Sequence, residues 1–247
     1  MRRKNLSTKF MNKKKRKSKK GLIVVPARGG SKGIKNKNIV DVGGDPLILY
    51  TINPALKIKK DGLADGVIVS TDSLKIADIA KKLGADVPFL RPKKISGDKA
   101  KSIDFILHAL YHFEERGVFF DYVVLLQPTS PLRSYEDIEG AIKLYMDSEN
   151  DSLISVCREE RVDETELYYN KKGIGIPLSP NHNKGIRRQD IRPMFTRNAA
   201  IYITATEYLK KERRIISDNP ALYEMPIERS LDIDTKEDLK ELRSILR

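Results

Sequence analysis

The sequence predicts an α/β protein, a mostly parallel sheet covered by helices on both faces. Two observations carry that prediction. From Gly21 onward, short apolar runs alternate with longer stretches whose apolar residues recur at three- and four-residue spacing. Of the 247 residues, 40% are hydrophobic and 33% charged, enough for a packed core and too apolar for a disordered chain. Strands that alternate with helices of this length build parallel sheets, which bind ligands in the crevice beyond the carboxyl ends of their strands.

In chain order, the predicted strand 22–26 is an aliphatic run that ends in Pro26, and the helix 47–57 follows. Strand 67–70 leads into helix 74–83, and a third apolar run, 87–90, is read as a strand before helix 103–115. The most apolar strand, 122–126, precedes helix 135–146, and strands 153–157 and 200–204 follow. The chain closes with helix 236–246, where Thr235 is a good N-cap and Glu237 and Asp238 suit the first turn. Residues 158–193 break the pattern: apolar residues are scattered among Gly173, Gly175, Pro177, Pro180, Asn181, Asn183 and Gly185. A long irregular segment inside a compact domain is usually functional, and this one is read as an arm reaching towards a partner subunit.

The net charge of +13 needs dividing before it means anything. Residues 1–20 hold eleven lysines and arginines and no acid, which leaves 36 basic against 34 acidic residues in 21–247. The tail is therefore expected to be disordered, and the folded domain, 21–247, nearly neutral. The tail is read either as a dispensable extension, with Met11 an alternative start, or as a nuclear-import-like or electrostatic arm. No run approaches 18 apolar residues, so no membrane span is expected, and no secretory signal is seen at the start. A single cysteine, Cys157, excludes an intramolecular disulfide framework and is read as core. Three unclustered histidines argue against zinc, and His108, on an apolar helix face, is read as packed.

Chemistry concentrates where strands end. After 22–26 comes Pro26-Ala27-Arg28-Gly29-Gly30-Ser31-Lys32-Gly33, then Lys35, Lys37 and Asn38. Glycines let backbone N–H groups approach a polyphosphate and the cations supply charge, although the spacing matches neither the P-loop nor the dinucleotide pattern. Gln127 projects past the end of strand 122–126, where it can hydrogen-bond a sugar. Near the other terminus, Ser230-Leu231-Asp232-Ile233-Asp234-Thr235 puts two carboxylates on one side of an extended segment. Either Asp234 helps cap the last helix while Asp232 is solvated, or the pair holds a hard cation such as Mg²⁺. Beside a phosphate loop the second becomes a metal-dependent nucleotide site. Arg187-Arg188-Gln189-Asp190 is either a solvated charge run or a carboxylate-binding cluster.

Taken together, Pro26–Gly33 with Lys37-Asn38, Ser70-Thr71-Asp72, Leu90-Arg91-Pro92 through Ser102, Leu126–Arg133, Arg188-Gln189-Asp190, Asn198–Tyr202 and Leu231–Asp234 resemble the acylneuraminate cytidylyltransferases. The resemblance runs in order over nearly all of 21–247 and leaves the tail uncovered. It implies a three-layer Rossmann-like nucleotidyltransferase fold, a homodimer whose arm falls in 158–193, and transfer of CMP from CTP to a nine-carbon sugar acid with Mg²⁺. By the same resemblance, Arg28 and Lys37 serve the triphosphate, Asn38, Arg91 and Ser102 the cytidine, and Ser31 belongs to the nucleotide-binding set. Gln127, Arg188 from the partner subunit and Tyr202 hold the sugar acid, and Asp232 and Asp234 the metal. A cytoplasmic location is implied for a bacterial enzyme and a nuclear one for an animal enzyme. Two departures bear on the sugar: Ala199 stands where the family usually has glycine, and Ile215-Ile216 falls near where some sialate enzymes place an aromatic pair. N-acetylneuraminate, legionaminate and related acids all remain open. The rivals are a 3-deoxy-manno-octulosonate cytidylyltransferase and a nucleic-acid-binding protein acting through its tail.

Overall fold

The computed structural model describes residues 19–31, 33–159, 163–185, 187 and 192–246. The basic tail before Lys19 and the Arg188-Gln189-Asp190 cluster lie outside the described residues. A six-stranded sheet forms the centre, with strands β1 (Gly21–Pro26), β4 (Gly66–Ser70), β5 (Tyr122–Leu126), β6 (Ser152–Glu159), β9 (Met194–Ala205) and β10 (Ala221–Glu224) in the order β10-β6-β9-β5-β1-β4. All pairings are parallel except those of β9, which runs against both β5 and β6. The expected sheet is therefore present, with one reversed strand.

Side chains that alternate along each strand divide the core. Ile23, Val25, Val69, Val124 and Leu126 face α1 (Leu49–Lys60), α2 (Leu74–Lys82) and α4 (Tyr135–Asp147). Leu22, Val24, Ile68, Val123 and Leu125 face α3 (Ser102–Glu114) and α5 (Thr206–Glu212). This gives the three layers, with both sheet faces dry. A third cluster joins Ile34, Val42, Leu47 and Ile233 to Leu239 and Leu242 of α6 (Lys236–Ile245), and so ties the loop after β1 to the segment carrying Asp232 and Asp234.

The structure corrects several expected boundaries. Residues 87–90 are not a strand: Pro88 lacks an N–H, and only the bridges of Ile68 with Asp86 and Thr71 with Leu90 form beside β4. The first helix begins two residues late, because the Leu47 and Ile48 amides bond Val40 O and Asn38 O, both at 2.9 Å. A small hairpin, β2 (Asp41–Val42) with β3 (Asp45–Pro46), fills the chain before it. The 158–193 segment is less irregular than its composition suggests. It contains a hairpin, β7 (Tyr168–Lys171) and β8 (Ile174–Pro177), turning on Lys172 and Gly173 at φ 54° and 86°. Two successive positive φ values give a turn whose twist matches that of the strands. Cys157 is buried as expected, and burial raises its thiol pKa.

Candidate active site

The chain leaves β1, crosses to β4 on one side, and returns to β5 on the other. Loops from the carboxyl ends of β1 and β5 therefore diverge around a crevice, the usual ligand position in such sheets. A cavity of about 600 Å³ lies there, large enough for a nucleotide. Of the predicted residues, Arg28, Ser31, Lys37, Asn38, Arg91, Ser102, Gln127, Asp232 and Asp234 all line it, from six separate parts of the chain. Tyr202 does not. It is half-buried in β9, in register with Leu125 and Ile154, packed against the cluster that holds α3, and the Asp232 charge acts on its hydroxyl. Arg188 lies outside the described residues.

Each lining group is held by the backbone around it. Asp72, just past β4, accepts the Gly29 amide at 2.8 Å, which turns the loop over the end of the sheet. The buried Asn38 donates from Nδ2 to Arg28 O at 3.0 Å, so its amide fixes the loop as well as walling the cavity. A Cβ at Gly33 would stand 2.6 Å from Asp234 O, so only glycine lets the loop meet the carboxylate segment this closely. Lys37 reaches across that contact, donating to Ile233 O and Asp234 Oδ1 at 2.8 Å each. Arg28 pairs with Asp98 at 2.5 Å, a residue for which the sequence offered no signal. Arg91 is 5% exposed, bonded to Ser70 Oγ at 3.1 Å and Ser70 O at 2.5 Å, and stacked over Phe105. Burial lowers its pKa to about 10, with nearby Asp72 pulling the other way. The guanidinium still carries its charge at neutral pH.

The two aspartates are not equivalent. Thr235 and Asp238 form a capping box that starts α6, and Asp238 also accepts the Asp234 amide at 2.8 Å. The Ile233 amide donates to Thr129 O at 2.8 Å, which docks the segment against the loop after β5. The Asp234 side chain is 73% exposed and paired with Lys37. Asp232 is inward: burial pushes its carboxyl above the ordinary range, Asp234 adds to this, and the Thr129 hydroxyl and Lys37 oppose it. Its Oδ1 is buried with no hydrogen-bond partner. A lone anionic oxygen beside a second carboxylate and an open cavity is a donor set that suits a hard cation. No group of three His, Cys, Asp or Glu able to hold a metal exists among the described residues, and Mg²⁺ is commonly held by one or two carboxylates with waters and substrate phosphates.

Comparison with known proteins decides the family. The cytidylyltransferase family profile matches residues 22–247. The chain belongs to the cytidylyltransferase family. An N-acylneuraminate cytidylyltransferase of Streptococcus agalactiae serotype III (strain NEM316) is 34% identical over 221 residues, 89% of this chain and 51% of that protein. This chain thus spans about half the length of that relative. A pseudaminic acid cytidylyltransferase of Campylobacter jejuni subsp. jejuni serotype O:2 is 31% identical over 221 residues, covering 90% and 94% of the two chains. A CMP-N,N'-diacetyllegionaminic acid synthase of Legionella pneumophila is 33% identical over 229 residues, covering 87% and 90%. In three dimensions, a CMP:2-keto-3-deoxy-manno-octonic acid synthetase complexed with CTP superposes with a TM-score of 0.67 at 17% identity, over 92% of this chain and 98% of that one. The cytidylyltransferase fold is accordingly the nucleotidyltransferase variant of the Rossmann-like class.

Proposed function

We propose that this cytidylyltransferase activates a nine-carbon sugar acid of the sialic, pseudaminic or legionaminic type with CTP, giving the CMP-sugar and pyrophosphate. The observation that carries this is the meeting of Arg28, Lys37, Arg91, Gln127, Asp232 and Asp234 around one cavity, in a chain with three such relatives. Cytidylyltransferases generally use a divalent metal. Asp232 and Asp234 would hold Mg²⁺, which when bound supplies positive charge to the triphosphate.

In the reaction the anomeric hydroxyl oxygen bonds to the α-phosphorus, the bond to the β-phosphate oxygen breaks, and one carboxylate of the aspartate pair takes the hydroxyl proton. Arg28 exchanges Asp98 for the triphosphate, and Lys37 stabilises charge that builds on the departing pyrophosphate. Arg91, fixed by Ser70, reads the cytidine together with Asn38 and Ser102. Gln127 holds the sugar acid, with Arg188 arriving from the partner subunit and Tyr202 supporting the wall from β9. The use of CTP fits a cytoplasmic location in a bacterium and a nuclear one in an animal cell.

The proposed dimer rests on the β7–β8 hairpin. It exposes Tyr169 and Ile174 by 65% and 66%, with Tyr168, Ile176 and Leu178 beside them, an apolar ridge suited to a second copy of the chain. The test of the reaction is pyrophosphate release from CTP and Mg²⁺ with N-acetylneuraminate, N,N'-diacetyllegionaminate, pseudaminate and 3-deoxy-manno-octulosonate. Turnover of a nine-carbon acid with CTP and not with UTP, ATP or GTP is expected. Turnover of the octulosonate alone would transfer the assignment to the shorter acid, and no turnover with any acid would overturn it.

A further inference from the structure

Among the described residues, the largest fully buried side chain is not apolar but Arg133, on the loop between β5 and α4. Its guanidinium donates from Nη1 to Ala200 O at 2.7 Å and Gln127 O at 3.2 Å, and from Nη2 to Thr51 Oγ1 at 2.8 Å. Thr51 in turn donates to Gln127 O at 3.5 Å and the Ser130 amide does so at 3.3 Å, so that carbonyl is held by three groups. Nε is buried with no partner. Burial lowers the guanidinium pKa to about 9, with nearby Asp137 pulling the other way. A cation placed here without a direct carboxylate costs several kcal/mol of desolvation, which its hydrogen bonds to buried acceptors offset in part. Packing alone therefore does not account for it.

Position does. The three acceptors belong to three elements: α1, the first residue past β5, and β9 beside the left-handed Ala199. One of them, Gln127, lines the cavity at its proposed sugar-acid end. A planar fork holds two carbonyls and a hydroxyl at fixed angles, which a single ammonium cannot do. We infer that Arg133 is a positioning residue for the sugar-acid subsite: it sets the Gln127 backbone, and so the side chain, against the β9 bulge. None of its bonds touches the loop after β1 or the Asp232 segment, so the nucleotide end should be indifferent to it. The inference rests on the sugar-acid activity proposed above.

The experiment compares wild type, Arg133→Lys and Thr51→Val in steady-state kinetics, with CTP binding measured separately by calorimetry and folding by circular dichroism. For Arg133→Lys, KM for the sugar acid should rise about 10-fold or more, since a displacement near 1 Å suffices for losses of that order. The Kd for CTP should stay within about twofold, because no contact with its ligands changes. Thr51→Val keeps the volume and removes one acceptor, and should raise the same KM by a few-fold, adding little in the double variant. If Arg133→Lys does not fold, the Thr51→Val comparison decides. Folded variants with an unchanged KM for the acid, or with CTP binding weakened equally, would overturn the inference while leaving the proposed function standing. Wild type inactive with every acid, yet binding CTP, would overturn the function and the inference with it.

Discussion

Ala199 holds φ at +58°, a region that costs an L-residue about 1 kcal/mol or more and glycine nothing. It sits where the pairing of β9 with β6 shifts by three residues, and Ser155 Oγ repairs the gap by accepting the Ile201 amide at 2.8 Å and donating to Asn198 Oδ1 at 2.6 Å. Asn198 then donates to Ser230 Oγ at 2.9 Å, two residues before Asp232. The expected consequence is asymmetric. Ala199→Gly relieves the strain but loosens the unfolded chain by a similar amount, so stability should move by less than about 0.5 kcal/mol. Ala199→Val, β-branched in the same conformation, should cost about 2 kcal/mol, and urea unfolding of both variants checks this. At this scale the sequence was most legible where glycines, cations and carboxylates stand at strand ends. Nine of the proposed ligands meet because such ends converge. The reversal of β9, which carries Tyr202, was not legible, since no local pattern encodes strand direction.

Among elements, the α4 N-terminus does more than start a helix. Ser134 and Asp137 form its capping box, and Asp137, 1% exposed, also accepts a bidentate Arg229 at 2.8 Å on both oxygens. That fork ties the helix to the segment leading into Asp232. Burial alone would push the Asp137 carboxyl up, but the Arg229 fork and the Ser134 cap outweigh it and hold it below the ordinary value. Its stabilisation is therefore complete above the usual aspartate range and is lost as pH falls through the lower folded value. Removing one partner of a fully buried pair costs about 3–5 kcal/mol. The Arg229 side chain is 40% exposed, so Asp137→Asn should cost about 2 kcal/mol at pH 7. The gap to wild type should close below about pH 4, as thermal melts across pH would show. The long helices and aliphatic strands were readable from periodicity. The 87–90 run was misread because Pro88 cannot join a ladder, and β10 and α5 were too short to carry a period.

For the whole molecule, the sheet order and the family agree, and the hairpin is the part that points outward. Ile174→Asp with Tyr169→Ser should convert the proposed dimer to a monomer in sedimentation velocity. A dimer that survives both changes would place the interface elsewhere. The division of charge was legible because residues 1–20 contain no acid at all. The hairpin was hidden because its glycines and prolines resemble a loop until the turn at Lys172-Gly173 pairs its strands. What matters most is whether the cavity is where CTP reacts. The decisive measurement is the rate of pyrophosphate release at saturating CTP and sugar acid for wild type, Asp232→Ala and Arg28→Ala, each shown to be folded. If the cavity is catalytic, each substitution lowers kcat at least about 100-fold. A kcat unchanged in both folded variants would contradict it and remove the reaction from this site.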